Sequence, residues 1–248
     1  ELVGPDAAVV LDRLTTNTLP AVGRIGLTYI LTPTGRIEGE MTVTRLADDH
    51  FYLVSAAVGE QKDREYFETH WPIGAAGRSL DADLRVVSGD FGVITLAGPR
   101  SRDLLARCTD TSLGGVASKG DDAFRWLSAQ VIDVAGVETR ALRVGFVGEL
   151  GWELHLPTAQ LGVVYDALWE AGADLEVANV GNHALDSLRM EKGYRISRDL
   201  THDVGPDEAG LEMFVKTDHP NKGEFVGRDA LLARRAAAQS GERPYRWR

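Results

Sequence analysis

The sequence has one cysteine, Cys108, so no disulfide can form within the chain. In Asp103-Leu-Leu-Ala-Arg-Cys108, helical spacing puts that thiol on the face of Leu104 and Leu105, where it reads as a small buried hydrophobe. No apolar run approaches the roughly 18 residues of a membrane span. No signal peptide opens the chain, and both ends read as cut from something longer. Positive charge is scarce: 27 Lys and Arg stand against 37 Asp and Glu, a formal net charge of −10. Nucleic acid and anionic membranes call for a basic face, so neither is an expected partner. A local Arg or Lys still suffices for a small anionic ligand. The six histidines are scattered, with no His-Glu-x-x-His and no pair at ligand spacing, so no metal site is expected. The absence of Gly-x-Ser-x-Gly removes the nucleophile-elbow hydrolases. The absence of Gly-x-Gly-x-x-Gly after a strand removes dinucleotide binding. The expected location is cytoplasmic, with the mitochondrial matrix as the alternative.

What is present is an ordinary globular composition, 44% apolar and 26% charged over 248 residues. It also holds an internal repeat. Val3-Gly4-Pro5 precedes Leu11 and Leu14; Ala97-Gly98-Pro99 precedes Leu105 and Cys108 at the same spacings. Each predicts a strand ending at Gly, then Pro in the first turn of a helix, where its missing N–H costs nothing. Residues 26–46 alternate as strands around Pro33-Thr34-Gly35, and residues 139–157 do so around Gly148-Glu149-Leu150-Gly151. Helices are expected near 60–70, 159–171 and 182–194, the last ending at Gly193. The expected fold is α+β: two pseudo-symmetric αβ lobes with antiparallel sheets, approximately 1–90 and 91–236. Residues 237–248 read as a polar linker.

Glu40 and Glu153 each follow a turn glycine, Gly35 and Gly148, by five residues. Glu40, Thr42 and Thr44 point opposite to Met41 and Val43; Glu153 and His155 point opposite to Trp152, Leu154 and Leu156. If the lobes are symmetric, the two carboxylates sit at equivalent strand positions and face a shared cavity. A carboxylate there suits a ligand with two adjacent N–H donors. The alternative is that both are solvated strand faces.

The segment Leu142-Arg-Val-Gly-Phe-Val-Gly-Glu-Leu-Gly-Trp-Glu-Leu-His155 resembles the hairpin of the glycine-cleavage T-protein (aminomethyltransferase) family, in its dimethylglycine and sarcosine dehydrogenase branch. Four more segments agree in order: Gly35-Arg-Ile-Glu-Gly-Glu-Met-Thr-Val-Thr44, Ala184-Leu-Asp-Ser-Leu-Arg-Met-Glu-Lys-Gly-Tyr194, Pro206-Asp-Glu-Ala-Gly-Leu211 and Phe225-Val-Gly-Arg-Asp-Ala-Leu231. The resemblance implies a folate-binding aminomethyltransferase fold without the family's C-terminal β-barrel, which residues 237–248 would approach.

It also implies tetrahydrofolate as cofactor, with Glu40 beside the reactive nitrogens as the catalytic acid and Glu153 holding the pterin. Met41, Thr42, Phe146, Leu154, His155 and Met213 would line the pocket by the same matching. The implied activity is capture of a one-carbon unit as 5,10-methylenetetrahydrofolate. The unit would be released from an N-methyl amine by a flavin oxidase domain, in cis or as a subunit; FAD would belong to that domain. Three departures stand out. Leu185 replaces an Arg of the glycine-cleavage branch, and Phe146 and Met213 stand where relatives often have Tyr. The alternatives are a non-catalytic folate-binding relative, a structural relative that no longer binds folate, and a folate-dependent demethylase or aminomethyltransferase with another donor. Members of the non-catalytic class carry a Cys after Lys-Gly, where this chain has Lys222-Gly-Glu-Phe225.

Overall fold

The computed structural model describes residues 1–114, 124–201 and 203–240. The chain forms two compact units, Glu1–Arg85 together with the chain from Ile196 onward, and Val86–Arg195. This division differs from the expected lobes, 1–90 and 91–236, in that residues 91–236 do not form one unit. From Ile196 the chain returns to the first unit. The cause is apolar: Leu211, Val215, Phe225 and Leu231 bury against Tyr29, Leu31 and Ile37, each large side chain contributing about 1.5–3 kcal/mol.

In the first unit, β1 (Leu2–Val3), β2 (Ile25–Leu31), β3 (Ile37–Ala47), β4 (His50–Val54) and β5 (Asp83–Leu84) form an antiparallel sheet in the order β2-β3-β4-β1-β5. α1 (Ala7–Leu14) and α2 (Glu60–Thr69) supply Val10, Leu11, Tyr66 and Phe67 to a core that includes Met41 and Val43. The returning chain supplies the second core, ending in α6 (Arg228–Gln239). That helix takes in residues 237–239 of the expected linker, and residues 241–248 lie outside the described residues.

The β2–β3 hairpin carries a bulge. Leu31 pairs with Ile37 but Ile30 pairs with Gly39, so β3 holds one extra residue there. Beyond it, Tyr29 faces Glu40. At the hairpin tip Gly35 has φ +75°, and a Cβ there would lie 2.7 Å from the Leu231 nitrogen. Only glycine accepts both the left-handed backbone and that approach.

In the second unit, β6 (Phe91–Ala97), β7 (Ala129–Val134), β8 (Val137–Leu142) and β9 (Gly151–Pro157) form an antiparallel sheet ordered β6-β9-β8-β7. α3 (Ser101–Leu105) and α4 (Leu161–Ala171) cover one face, with Leu104, Leu105, Val164 and Leu168 packed among Ile132, Val134, Trp152, Leu154 and Leu156. Cys108 packs against this core, and burial raises its thiol pKa. α5 (Asn182–Lys192) ends at a left-handed Gly193, φ 76°, as predicted, with Asp186 bonded to Arg189 at 2.6 Å. No closed barrel is present among the described residues.

The repeat survives at its starts. Gly4 (φ +135°) and Gly98 (φ +127°) end strands, and their carbonyls accept from Ala7 at 2.9 Å and Ser101 at 3.0 Å to open α1 and α3. It diverges afterwards. β4 lies between β3 and β1, whereas β6 pairs directly with β9. The second hairpin is also not tight. β8 and β9 pair only over Arg140–Leu142, and residues 143–150 form a loop rather than a turn around Gly148.

Candidate functional site

Glu40 is half-buried on the face of β3 opposite Met41 and Val43. The bulge decides this. Ile37 packs in the second core on Glu40's side of the sheet, although a regular strand would put residues 37 and 40 on opposite faces. Burial raises the carboxyl pKa above the usual value. A hydrogen bond from the Tyr29 hydroxyl opposes that shift, and the negative charge of Asp199 adds to it. The carboxyl is therefore a better proton acceptor than a solvated glutamate. Thr42 lies two residues along the same face. Met213, 67% exposed, stands in a 3₁₀ turn, Glu212–Phe214, whose Phe214 ring lies 5.9 Å from that of Tyr29.

Three of the sequence segments meet at the tip of the hairpin that carries this carboxylate. Gly227 (φ +80°) closes so tightly on the hairpin that a Cβ there would lie 2.3 Å from the Thr32 carbonyl oxygen. Val204 accepts from the Ile37 amide at 3.1 Å, and Glu208 lies 4.0 Å from Arg36 and pairs with Arg234 at 2.5 Å. The later motifs thus act as scaffolding for the Glu40 hairpin.

In the second unit, Glu153 is partly exposed on β9, and its carboxylate lies 3.3 Å from His155 Nε2. His155 is 1% exposed. Its cross-strand neighbours are Val93 on β6 and Arg140 on β8, and Arg140 reaches across to the Phe91 ring, 4.7 Å from its centroid. Val93 and Thr95, opposite His155 and Glu153, are exposed, so α3 and α4 leave this face of the sheet open. Phe146 sits in the loop between β8 and β9 and stacks on Tyr194 at 6.0 Å. Lys192 packs so close to Gly148 that a Cβ there would lie 2.9 Å from its side chain. The segments 142–155 and 184–194 therefore also meet.

Two predicted pocket residues are placed otherwise. Met41 and Leu154 point into the cores, 3% and 0% exposed, because each alternates with its neighbouring glutamate. Any ligand contact at these positions comes from the backbone. Leu185, half-buried on α5, supplies no charge. Sequence reasoning missed Tyr29 and Asp199 beside Glu40, Arg140 above His155, and Tyr194 beneath Phe146. Tyr29 was findable only from the register, which the bulge hides. Among the described residues no group of three His, Cys, Asp or Glu side chains is arranged to hold a metal. A groove of about 580 Å3 beside α1 includes none of the predicted residues, and its Arg13 and Glu224 pair with each other at 3.1 Å.

A sequence profile of the GCVT N-terminal domain matches residues 1–219. Human mitochondrial dimethylglycine dehydrogenase is 33% identical over 229 residues, 92% of this chain and 25% of that protein. Human mitochondrial sarcosine dehydrogenase is 35% identical over 251 residues, 95% of this chain and 26% of that protein. The crystal structure of glycine cleavage system aminomethyltransferase T from Bartonella henselae superposes with a TM-score of 0.75 at 26% identity, over 96% of this chain and 60% of that one. The chain thus spans about a quarter of the length of the dehydrogenases it matches.

Proposed function

Because the chain belongs to the GCVT N-terminal domain family, we propose that it binds tetrahydrofolate and serves as the one-carbon-accepting domain of an N-methyl amine dehydrogenase of dimethylglycine or sarcosine type. The product would be 5,10-methylenetetrahydrofolate. The flavin oxidase that releases the one-carbon unit would lie in cis or in a partner subunit, and FAD would belong there. The observation that carries this reading is the Glu40 carboxyl, held on the sheet face opposite Met41 and Val43, across from Tyr29, and raised in pKa by burial.

The residues fit the ligand. Tetrahydrofolate supplies a nucleophilic nitrogen and a pterin edge rich in N–H donors. Glu153, with one side engaged by His155 and the rest partly open, has acceptor capacity left for two adjacent N–H groups. Phe146 offers a ring edge fixed by Tyr194. Glu40 orients the reacting nitrogen and takes up and returns its proton, a role that calls for an acid weaker than a free glutamate. The rest is positioning a nucleophile against a short-lived electrophile.

The experiment is Glu40→Gln in the intact protein. Calorimetric titration with a stable reduced folate should give affinity close to wild type, while formation of the methylene product falls about 100-fold or more. Wild-type protein that binds no reduced folate, or a Glu40→Gln variant with unchanged product formation, contradicts the reading.

A further inference from the structure

Tyr29 is 2% exposed, and a phenol that deeply buried needs a partner for its hydroxyl. Its partner is Glu40, directly across the β2–β3 ladder, to which the hydroxyl donates. The tyrosine itself is held on three sides. Its ring lies against Phe214 at 5.9 Å. Its amide donates to Thr16 Oγ1 at 3.2 Å, and its carbonyl accepts from the Thr16 amide at 3.0 Å. The Thr16 hydroxyl donates onward to the Phe214 carbonyl at 3.0 Å, so backbone and ring are fixed through one residue. Asp199 is the other titratable group acting on Glu40, and it is tied down by the Ile196 amide at 2.9 Å.

We propose that Tyr29 is the positioning residue for Glu40: its hydroxyl holds one carboxylate oxygen and so presents the other to the ligand. A glutamate turns about three side-chain torsions, and an anchored oxygen narrows that freedom to the geometry proton transfer requires. The hydroxyl also favours the anion against burial and against Asp199, so that Glu40 remains able to accept a proton. The inference rests on the proposed role of Glu40, yet the contact itself is testable without folate.

The test is Tyr29→Phe in the full-length protein, which keeps the ring against Phe214 and removes only the hydroxyl. Glutamate carboxyl carbons are followed by 13C NMR across pH without ligand, the Glu40 signal being identified by its loss in Glu40→Gln. In Tyr29→Phe the Glu40 midpoint should move to higher pH. In Phe214→Leu, which disturbs the ring packing but keeps the hydroxyl, it should stay in place. A folded Tyr29→Phe with an unmoved midpoint overturns the proposal. If the variant does not fold, isotope-edited infrared spectra of the wild type decide, and an unbonded Glu40 carboxyl band overturns it. With folate, the acid limb of the pH–rate profile should move with the midpoint, kcat falling about tenfold below it while KM changes little. A shifted midpoint in a protein that binds no folate upholds the positioning contact and refutes the functional reading instead.

Discussion

Leu154 and Glu153 are adjacent on β9 and point to opposite faces, so substituting each to Ala should separate folding from binding. Leu154 is 0% exposed and packs in the second unit's core. Truncation removes three carbons' worth of burial and leaves a cavity, a loss of about 3 kcal/mol. With a urea slope of about 2 kcal/mol/M, the unfolding midpoint falls by about 1.5 M. Glu153 is partly exposed and loses only its contact with His155, about 1 kcal/mol or less. Binding should show the reverse order. On the proposed pterin role, Glu153→Ala would delete two charge-assisted hydrogen bonds to the ligand, each worth about 1.5–3 kcal/mol, so affinity for a stable reduced folate should drop roughly 100-fold or more. Leu154→Ala, measured well below its unfolding midpoint, should bind within about twofold of wild type. Urea unfolding and calorimetry on both variants give the four numbers. A Leu154→Ala protein of wild-type stability that binds poorly would refute the assignment of faces. Undiminished binding by Glu153→Ala would refute the pterin role.

Gly35→Ala should cost about 3 kcal/mol in thermal or urea unfolding, because it forces a Cβ onto the α6 backbone at a left-handed position; a loss below about 1 kcal/mol would show that α6 yields. Phe146→Tyr keeps the stack on Tyr194 and adds a hydroxyl. Tighter folate binding, up to about tenfold by calorimetry, is expected, and weaker binding would mean that the loop leaves no room for it. Burial is the leading cause of raised pKa at both Glu40 and Asp63. The folded state therefore binds their protons more tightly than the unfolded state. Their contribution to stability is complete below the ordinary carboxylate range and is lost as pH rises through the raised values. Glu40→Gln should accordingly melt no lower than wild type at neutral pH, with any advantage shrinking as pH falls toward 4; a lower melting temperature at neutral pH would contradict the sign.

The sequence by itself determined the local chemistry. Alternation assigned Glu40 and Glu153 to strand faces opposite Met41 and Leu154, since the strand period is two whatever the surroundings. Glycine and proline marked the strand-to-helix starts at Gly4 and Gly98 and the end of α5 at Gly193, because backbone conformation at such points is a property of the residue. The ordered motifs carried the family. What those faces pack against, and which residues join the site, was decided only by tertiary contacts. The chain after Ile196 returns to the first unit because its apolar residues match a sheet face that precedes them by more than a hundred positions, and no local pattern encodes that pairing. The bulge between Ile37 and Gly39 shifts the register so that Tyr29 meets Glu40. Without it, an Ile37 kept in its core would turn Glu40 into the other one. A one-residue slip reverses every side chain beyond it, and the free energy that fixes the slip comes from both cores at once.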